Sequence, residues 1–98
     1  MEKTADTSGE VETVTLRYWA AAKAAAGVAE DVVPVAGPVT LAELLDRAVA
    51  LHPDTRLHAV LGVCSVLVGD RPVGSRDPGS LVVRPGDTVE FLPPFAGG

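Results

Sequence analysis

The sequence predicts an α+β fold, a two-layer roll with a mixed sheet packed on one main helix, and three observations lead there. Near the start, Val14, Leu16 and Tyr18 alternate with Thr13, Thr15 and Arg17, the period of a half-buried strand. In the middle lies a single well-signposted helix. At the end, residues 88–92 read as a closing strand that stops at Pro93-Pro94. One helix between the first and last strands favours a crossing that leaves those two strands parallel.

Residues 1–10 hold too few hydrophobes to offset the entropy of ordering them, so a mobile leader is expected there. The folded domain is expected over residues 11–92 and a tail over 93–98. The first strand is expected over residues 11–18. Residues 19–26 are nearly all alanine around Lys23, and Gly27 follows as a left-handed cap, which fits a short helix in need of tertiary support. Residues 31–35 predict a second strand, placed at a sheet edge by Pro34, whose missing donor is best turned to water.

Thr40 and Glu43 have the spacing of a capping box, and Val39 is positioned to staple against Leu44. Leu41, Leu44, Leu45, Ala48 and Val49 then recur at helical spacing and form one apolar stripe. The helix is expected to stop at His52-Pro53, because a residue before proline is driven out of the α region. Residues 54–61 allow a helical turn, 64–68 read as a strand, Gly69-Asp70 as a turn, and 71–73 as a short returning strand. A polar loop over 74–80, the segment 81–83 and the turn Arg84-Pro85-Gly86-Asp87 lead to the last strand. The order β-β-α-β-β with added helical pieces is that of the ubiquitin-like β-grasp. It makes Tyr18, Trp19 and Phe91 finish neighbouring strands at one end, at the root of the tail.

Composition narrows the function. Ninety-eight residues make one domain with a modest core, built here largely from Ala and Val. A net charge of −5 disfavours nucleic acid and anionic membranes and suits a basic protein partner, although solubility alone also accounts for it. One cysteine excludes an internal disulfide, and no Cys/His spacing resembles a metal site. With neither a signal segment nor a long apolar run, a soluble cytoplasmic protein is expected. No nucleophile-base pair or phosphate loop is present, so catalysis by this chain alone is not expected.

The chemistry is concentrated in the last residues. Pro93 and Pro94 favour a stiff extended course away from the body, and beyond Phe95 the side chains of Ala96, Gly97 and Gly98 shrink to nothing, which suits a narrow channel. The group then presented is the Gly98 carboxylate. Ionised at neutral pH, it is a poor acyl donor and requires activation, for example by nucleotidyl transfer from ATP. Gly-Gly by itself also fits an ordinary frayed terminus.

The ending Leu92-Pro93-Pro94-Phe95-Ala96-Gly97-Gly98 resembles that of the MoaD/ThiS family of ubiquitin-like sulfur carriers, and its Pro-Pro resembles the MoaD branch more than the thiamine branch. Similar blocks are Leu16-Arg17-Tyr18-Trp19-Ala20 with Gly27, Val39-Thr40-Leu41-Ala42-Glu43-Leu44-Leu45 before His52-Pro53, and Pro85-Gly86-Asp87. Val68-Gly69-Asp70, in place of an asparagine-glycine turn, and residues 56–62 depart from the pattern.

The resemblance implies a carrier whose Gly98 becomes an adenylate and then a thiocarboxylate, with no bound cofactor and with ATP used by the activating partner. Implied partners are the large subunit of molybdopterin synthase (MoaE-like), an adenylyltransferase of the ubiquitin-activating type (MoeB-like), and a sulfurtransferase or cysteine desulfurase. The MoaD branch would act as the small subunit of that synthase, in molybdenum cofactor biosynthesis. Carriers for thiamine, cysteine or another sulfur metabolite remain alternatives, as does a protein modifier joined through Gly98 to a lysine.

Among single residues, Phe95 follows two prolines and is better placed to dock in a partner than to fold back on its own core. Trp19 and Phe91 are candidates for the interface, with core packing at least as good a reading of each. Cys64 has no cation beside it in sequence and is expected to be a buried, inert thiol. His52 is explained as a helix-end residue, and its spacing from His58 fits no metal.

Overall fold

The computed structural model describes residues 12–94. The expected leader, and Phe95, Ala96, Gly97 and Gly98 of the tail, lie outside the described residues.

Strand β1, Thr13–Tyr18, buries Val14, Leu16 and Tyr18 as its alternation requires. Helix α1, Ala20–Ala26, ends at Gly27, whose φ of 80° lets its N–H reach the Lys23 carbonyl at 2.9 Å. Strand β2, Glu30–Pro34, returns antiparallel to β1 with Val14 opposite Val33. It forms the sheet edge, as Pro34 demands.

Helix α2, Leu41–Leu51, buries Leu41, Leu44 and Ala48 and stops before Pro53. Only half of the expected capping box is made. Thr40 Oγ1 accepts the Glu43 N–H at 3.1 Å, but the Glu43 carboxylate faces Arg47 Nη2 at 3.3 Å. Arg47 also donates to the Pro34 carbonyl, tying the helix to the edge strand. Helix α3, Leu57–Leu61, buries Leu57 and Leu61 beside α1.

Strands β4, Ser65–Val68, and β5, Arg71–Pro72, form a hairpin through Gly69, at φ 64°. A single 3₁₀ turn covers Pro78–Ser80, with the Asp77 side chain accepting from the Gly79 N–H. Strand β6, Val82–Val83, pairs with β3, Val39–Thr40, in a separate two-stranded sheet that the expected element order lacks. Two-residue strands carry no periodicity to read. Their pairing nevertheless fixes where α2 begins, since the Leu41 N–H donates to the Leu81 carbonyl at 2.9 Å.

Strand β7, Thr88–Leu92, occupies the middle of the five-stranded sheet, whose order is β2-β1-β7-β4-β5. It runs parallel to β1, with Tyr18 opposite Phe91, and antiparallel to β4. The crossing through α2 therefore produces the parallel first and last strands expected. One face of the sheet, with Val14, Leu16, Val33, Val89 and Phe91, packs on α2 in a continuous core.

Candidate functional site

The candidate site is the root of the tail, where β7 ends. Leu92 is the last residue in the ladder, opposite Ser65. Two prolines then follow with no N–H to continue it. Pro93 is half-buried and Pro94, the last described residue, is exposed.

Trp19 stands beside the end of β7. Its backbone N–H donates to the Phe91 carbonyl at 3.2 Å, which extends the β1–β7 pairing by one residue. Trp19 is 41% exposed. The indole N–H donates to Glu90 Oε1 at 2.9 Å, and the Arg17 guanidinium lies 5.0 Å from the ring centroid, a cation–π distance. Arg17 is also 3.7 Å from Glu30. Arg17, Trp19 and Glu90 thus form a charged and aromatic platform on the outer face of the sheet. Ala20, with φ 49°, makes the sharp turn from β1 into α1 directly behind it.

Phe91 is not part of that platform. It is 0% exposed and stacks on Tyr18 with ring centroids 5.8 Å apart and planes at 16°. Its place in the strand's alternation sends it inward with Val89, so the core reading holds and the interface reading falls. Of the three aromatics that finish these strands, Trp19 is exposed while Tyr18 and Phe91 are buried.

Beneath the end of β7 lies a polar group that sequence reasoning missed. The Tyr18 hydroxyl donates to Asp31 Oδ2 at 2.8 Å, and the same oxygen lies 2.6 Å from His52 Nε2. The His52 ring meets Tyr18 edge-on at 5.9 Å. Burial first, then the hydrogen bond and the charge of Asp31, push the Tyr18 phenol well above its ordinary range. His52 thus joins the C-terminus of α2 to the antiparallel β1–β2 pair, a larger role than that of a helix-end residue. One signal for it was present in the sequence. Asp31 falls on the inward phase of β2 with Val33, and an inward tyrosine hydroxyl requires a partner.

Cys64 is half-buried and precedes β4, with its sulfur 3.2 Å from the Val60 carbonyl. Burial pushes its thiol up from the ordinary value, as expected of an unreactive cysteine. His58 and Lys23 are exposed, and His58 stands apart from the His52 group. Among the described residues no cluster of His, Cys, Asp and Glu has the make-up of a metal site, and no helix is long and apolar enough to cross a membrane.

Fold and strand order together define a ubiquitin-like β-grasp domain whose last strand is the central one of the sheet. Residues 16–98 match the model of the ThiS family, and the chain belongs to that family of ubiquitin-like sulfur carriers. It is 29% identical over 86 residues to the molybdopterin synthase sulfur carrier subunit of Aspergillus niger, a match covering 88% of this chain and 94% of that protein. The crystal structure of SAMP1 from Haloferax volcanii superposes with a TM-score of 0.72 at 25% identity, covering 88% of this chain and 99% of that one. A third relative comes from the protein–protein complex of subunits 1 and 2 of the molybdopterin-converting factor of Helicobacter pylori. It has a TM-score of 0.59 and 26% identity, covering 88% of this chain and 99% of that one.

Proposed function

We propose that this chain carries sulfur as a thiocarboxylate on Gly98 and serves as the small subunit of a molybdopterin synthase. The observation that carries the reading is the family match, which runs through Gly98, joined to a central strand that stops at Pro93-Pro94. The likeness to the Aspergillus niger carrier subunit and to the Helicobacter pylori complex favours the molybdopterin pathway.

In this reading the activating partner supplies ATP and the chain supplies only its end. A Gly98 carboxylate oxygen attacks the α-phosphorus of ATP and pyrophosphate leaves. The terminal sulfur of a persulfide borne by a sulfurtransferase or cysteine desulfurase then attacks the acyl carbon and displaces AMP, and a second thiol cleaves the resulting acyl disulfide, releasing the Gly98 thiocarboxylate and leaving a disulfide on the donor. Phe95, Ala96 and Gly97 enter the partner ahead of Gly98, while Trp19 meets the partner's surface at the root of the tail. The large synthase subunit receives the loaded tail. The protein works in the cytoplasm, where its thiol and its thiocarboxylate stay reduced.

The test is intact mass after incubation with ATP, an adenylyltransferase of the ubiquitin-activating type and a sulfur donor. Exchange of one oxygen for sulfur, localised to Gly98, is the expected result, and a chain that stays at its original mass refutes the reading. The likeness to SAMP1 favours a second reading, a protein modifier. Conjugates to lysine side chains that isopeptide cleavage reverses would support it over the carrier.

A further inference from the structure

The sheet end opposite the tail root holds a cavity of about 590 Å³ whose lining is mostly polar, including Arg71, Arg76, Arg84, Asp70, Asp87 and Ser80. It lies where the Gly69 N–H donates to the Thr88 carbonyl at 2.8 Å, at the start of β7. Leu92 is a strand length away, roughly 13 Å at about 3.3 Å per residue. A ligand here leaves the Leu92 end of β7 uncovered.

Of the eight Lys and Arg residues in the chain, three line this one cavity. Elsewhere Arg17 and Arg47 face carboxylates, at 3.7 and 3.3 Å. Among the described residues, no carboxylate makes an ion pair with Arg71, Arg76 or Arg84. Arg76 is held in place without being neutralised, because its Nε and Nη2 donate to the Val73 and Pro72 carbonyls, both at 3.2 Å. Arg84 is fixed at its backbone by a closed turn. Its N–H donates to Asp87 Oδ2 at 3.0 Å, its carbonyl accepts the Asp87 N–H at 3.0 Å, and Gly86 supplies the required φ of 92°. Arg71 sits on β5, in register with Val68.

We propose that this cavity binds a small phosphate-type polyanion of the diphosphate class on the guanidinium groups of Arg71, Arg76 and Arg84. Those groups come from three separate segments of the cavity lining. A terminal phosphate offers three oxygens pointing apart, whereas a carboxylate offers two in one plane, so phosphate uses the arrangement better. The cavity volume falls in the range of small-ligand sites, about 300–1,000 Å³. Asp87 is occupied in its turn, and Asp70 opposes an anion from the lining. That opposition predicts a sign: removing the Asp70 charge tightens binding. With a net charge of −5 the chain gives anions no long-range steering, so binding rests on the local forks.

The test is a titration of the full chain, labelled for amide NMR, with inorganic pyrophosphate at constant ionic strength. Inorganic phosphate, sulfate and a polyglutamate peptide are the comparison arms. Saturable shifts are expected at the amides of Gly69, Arg71, Gly86 and Asp87, with Leu92 unmoved. Arg71→Gln and Arg84→Gln, both exposed side chains, should each weaken binding about three- to tenfold, and Asp70→Asn should strengthen it. The proposal is overturned by shifts that do not saturate, by an equal response to sulfate, or by a response to polyglutamate alone. Unchanged binding in an Arg71→Gln, Arg84→Gln double variant that keeps a dispersed spectrum overturns it as well.

Discussion

Replacing Tyr18 by phenylalanine isolates one hydrogen bond. The ring is 2% exposed and stays packed on Phe91 and His52, so only the O–H to Asp31 Oδ2, at 2.8 Å, is lost. Hydrogen bonds to charged acceptors contribute about 1.5–3 kcal/mol. Asp31 is 20% exposed and keeps His52 at 2.6 Å, so the low end applies, about 1.5 kcal/mol. For a domain of this size that is a fall in melting temperature of roughly 6–12 °C. Alkaline pH gives the sharper reading. The folded phenol holds its proton above the usual range, while in the unfolded chain it ionises near pH ~10. This contribution is therefore complete below pH ~10 and is lost above it, at up to ~1.4 kcal/mol per pH unit, until the folded group also ionises. Tyr18→Phe should remove that slope. Tyr18 is the only tyrosine, so tyrosinate absorbance reports on it alone. Ionisation near pH ~10 in the still-folded protein, or an identical alkaline slope in Tyr18→Phe, would refute the argument.

The two phenylalanines should separate cleanly. Phe91→Ala should cost about 3–5 kcal/mol of stability, a large share of a small domain's total, as read by urea unfolding. Phe95→Ala should leave unfolding nearly unchanged and weaken partner binding by ~2 kcal/mol or more, as read by calorimetry. Gly98→Val, or one residue added after Gly98, should abolish loading in a folded chain, because bulk beside the acyl carbon obstructs channel and attack; mass spectrometry decides. Cys64 should be alkylated slowly in the native state and rapidly on unfolding, since burial raises its thiol. Cys64→Ala should still load, and sulfur found as a persulfide on Cys64 would overturn the carrier mechanism.

Elements with a long periodic signal were legible before the structure. The alternation of Val14, Leu16 and Tyr18, the stripe on α2 and its stop at Pro53 each repeat one physical message several times. The pairing of β3 with β6 was not legible, because two residues repeat nothing and the partners lie more than forty positions apart. Glu43 shows another limit. Its spacing fitted a capping box, but Arg47 one turn along competes for the same carboxylate. Tyr18, Asp31 and His52 meet only because the β1–β2 pair and the helix end converge, so each residue alone looked ordinary. For Phe91, strand phase already favoured the core, and the position beside the tail gave the interface reading undue weight. The chain end lies outside the described residues, and next to the last residues of β7 the structure adds the exposed Trp19.

The central position of β7 has a mechanical consequence. A partner that grips the chain end and draws on it applies its force through Pro93 along the axis of β7. That strand is bonded on both flanks, to β1 in parallel and to β4 in antiparallel. Tension along a strand loads all the cross-strand bonds of both ladders together, in shear, whereas an edge strand pulled sideways opens one bond at a time. The domain can thus be towed by its last residues without unravelling. Under such a load the two ladders resist together.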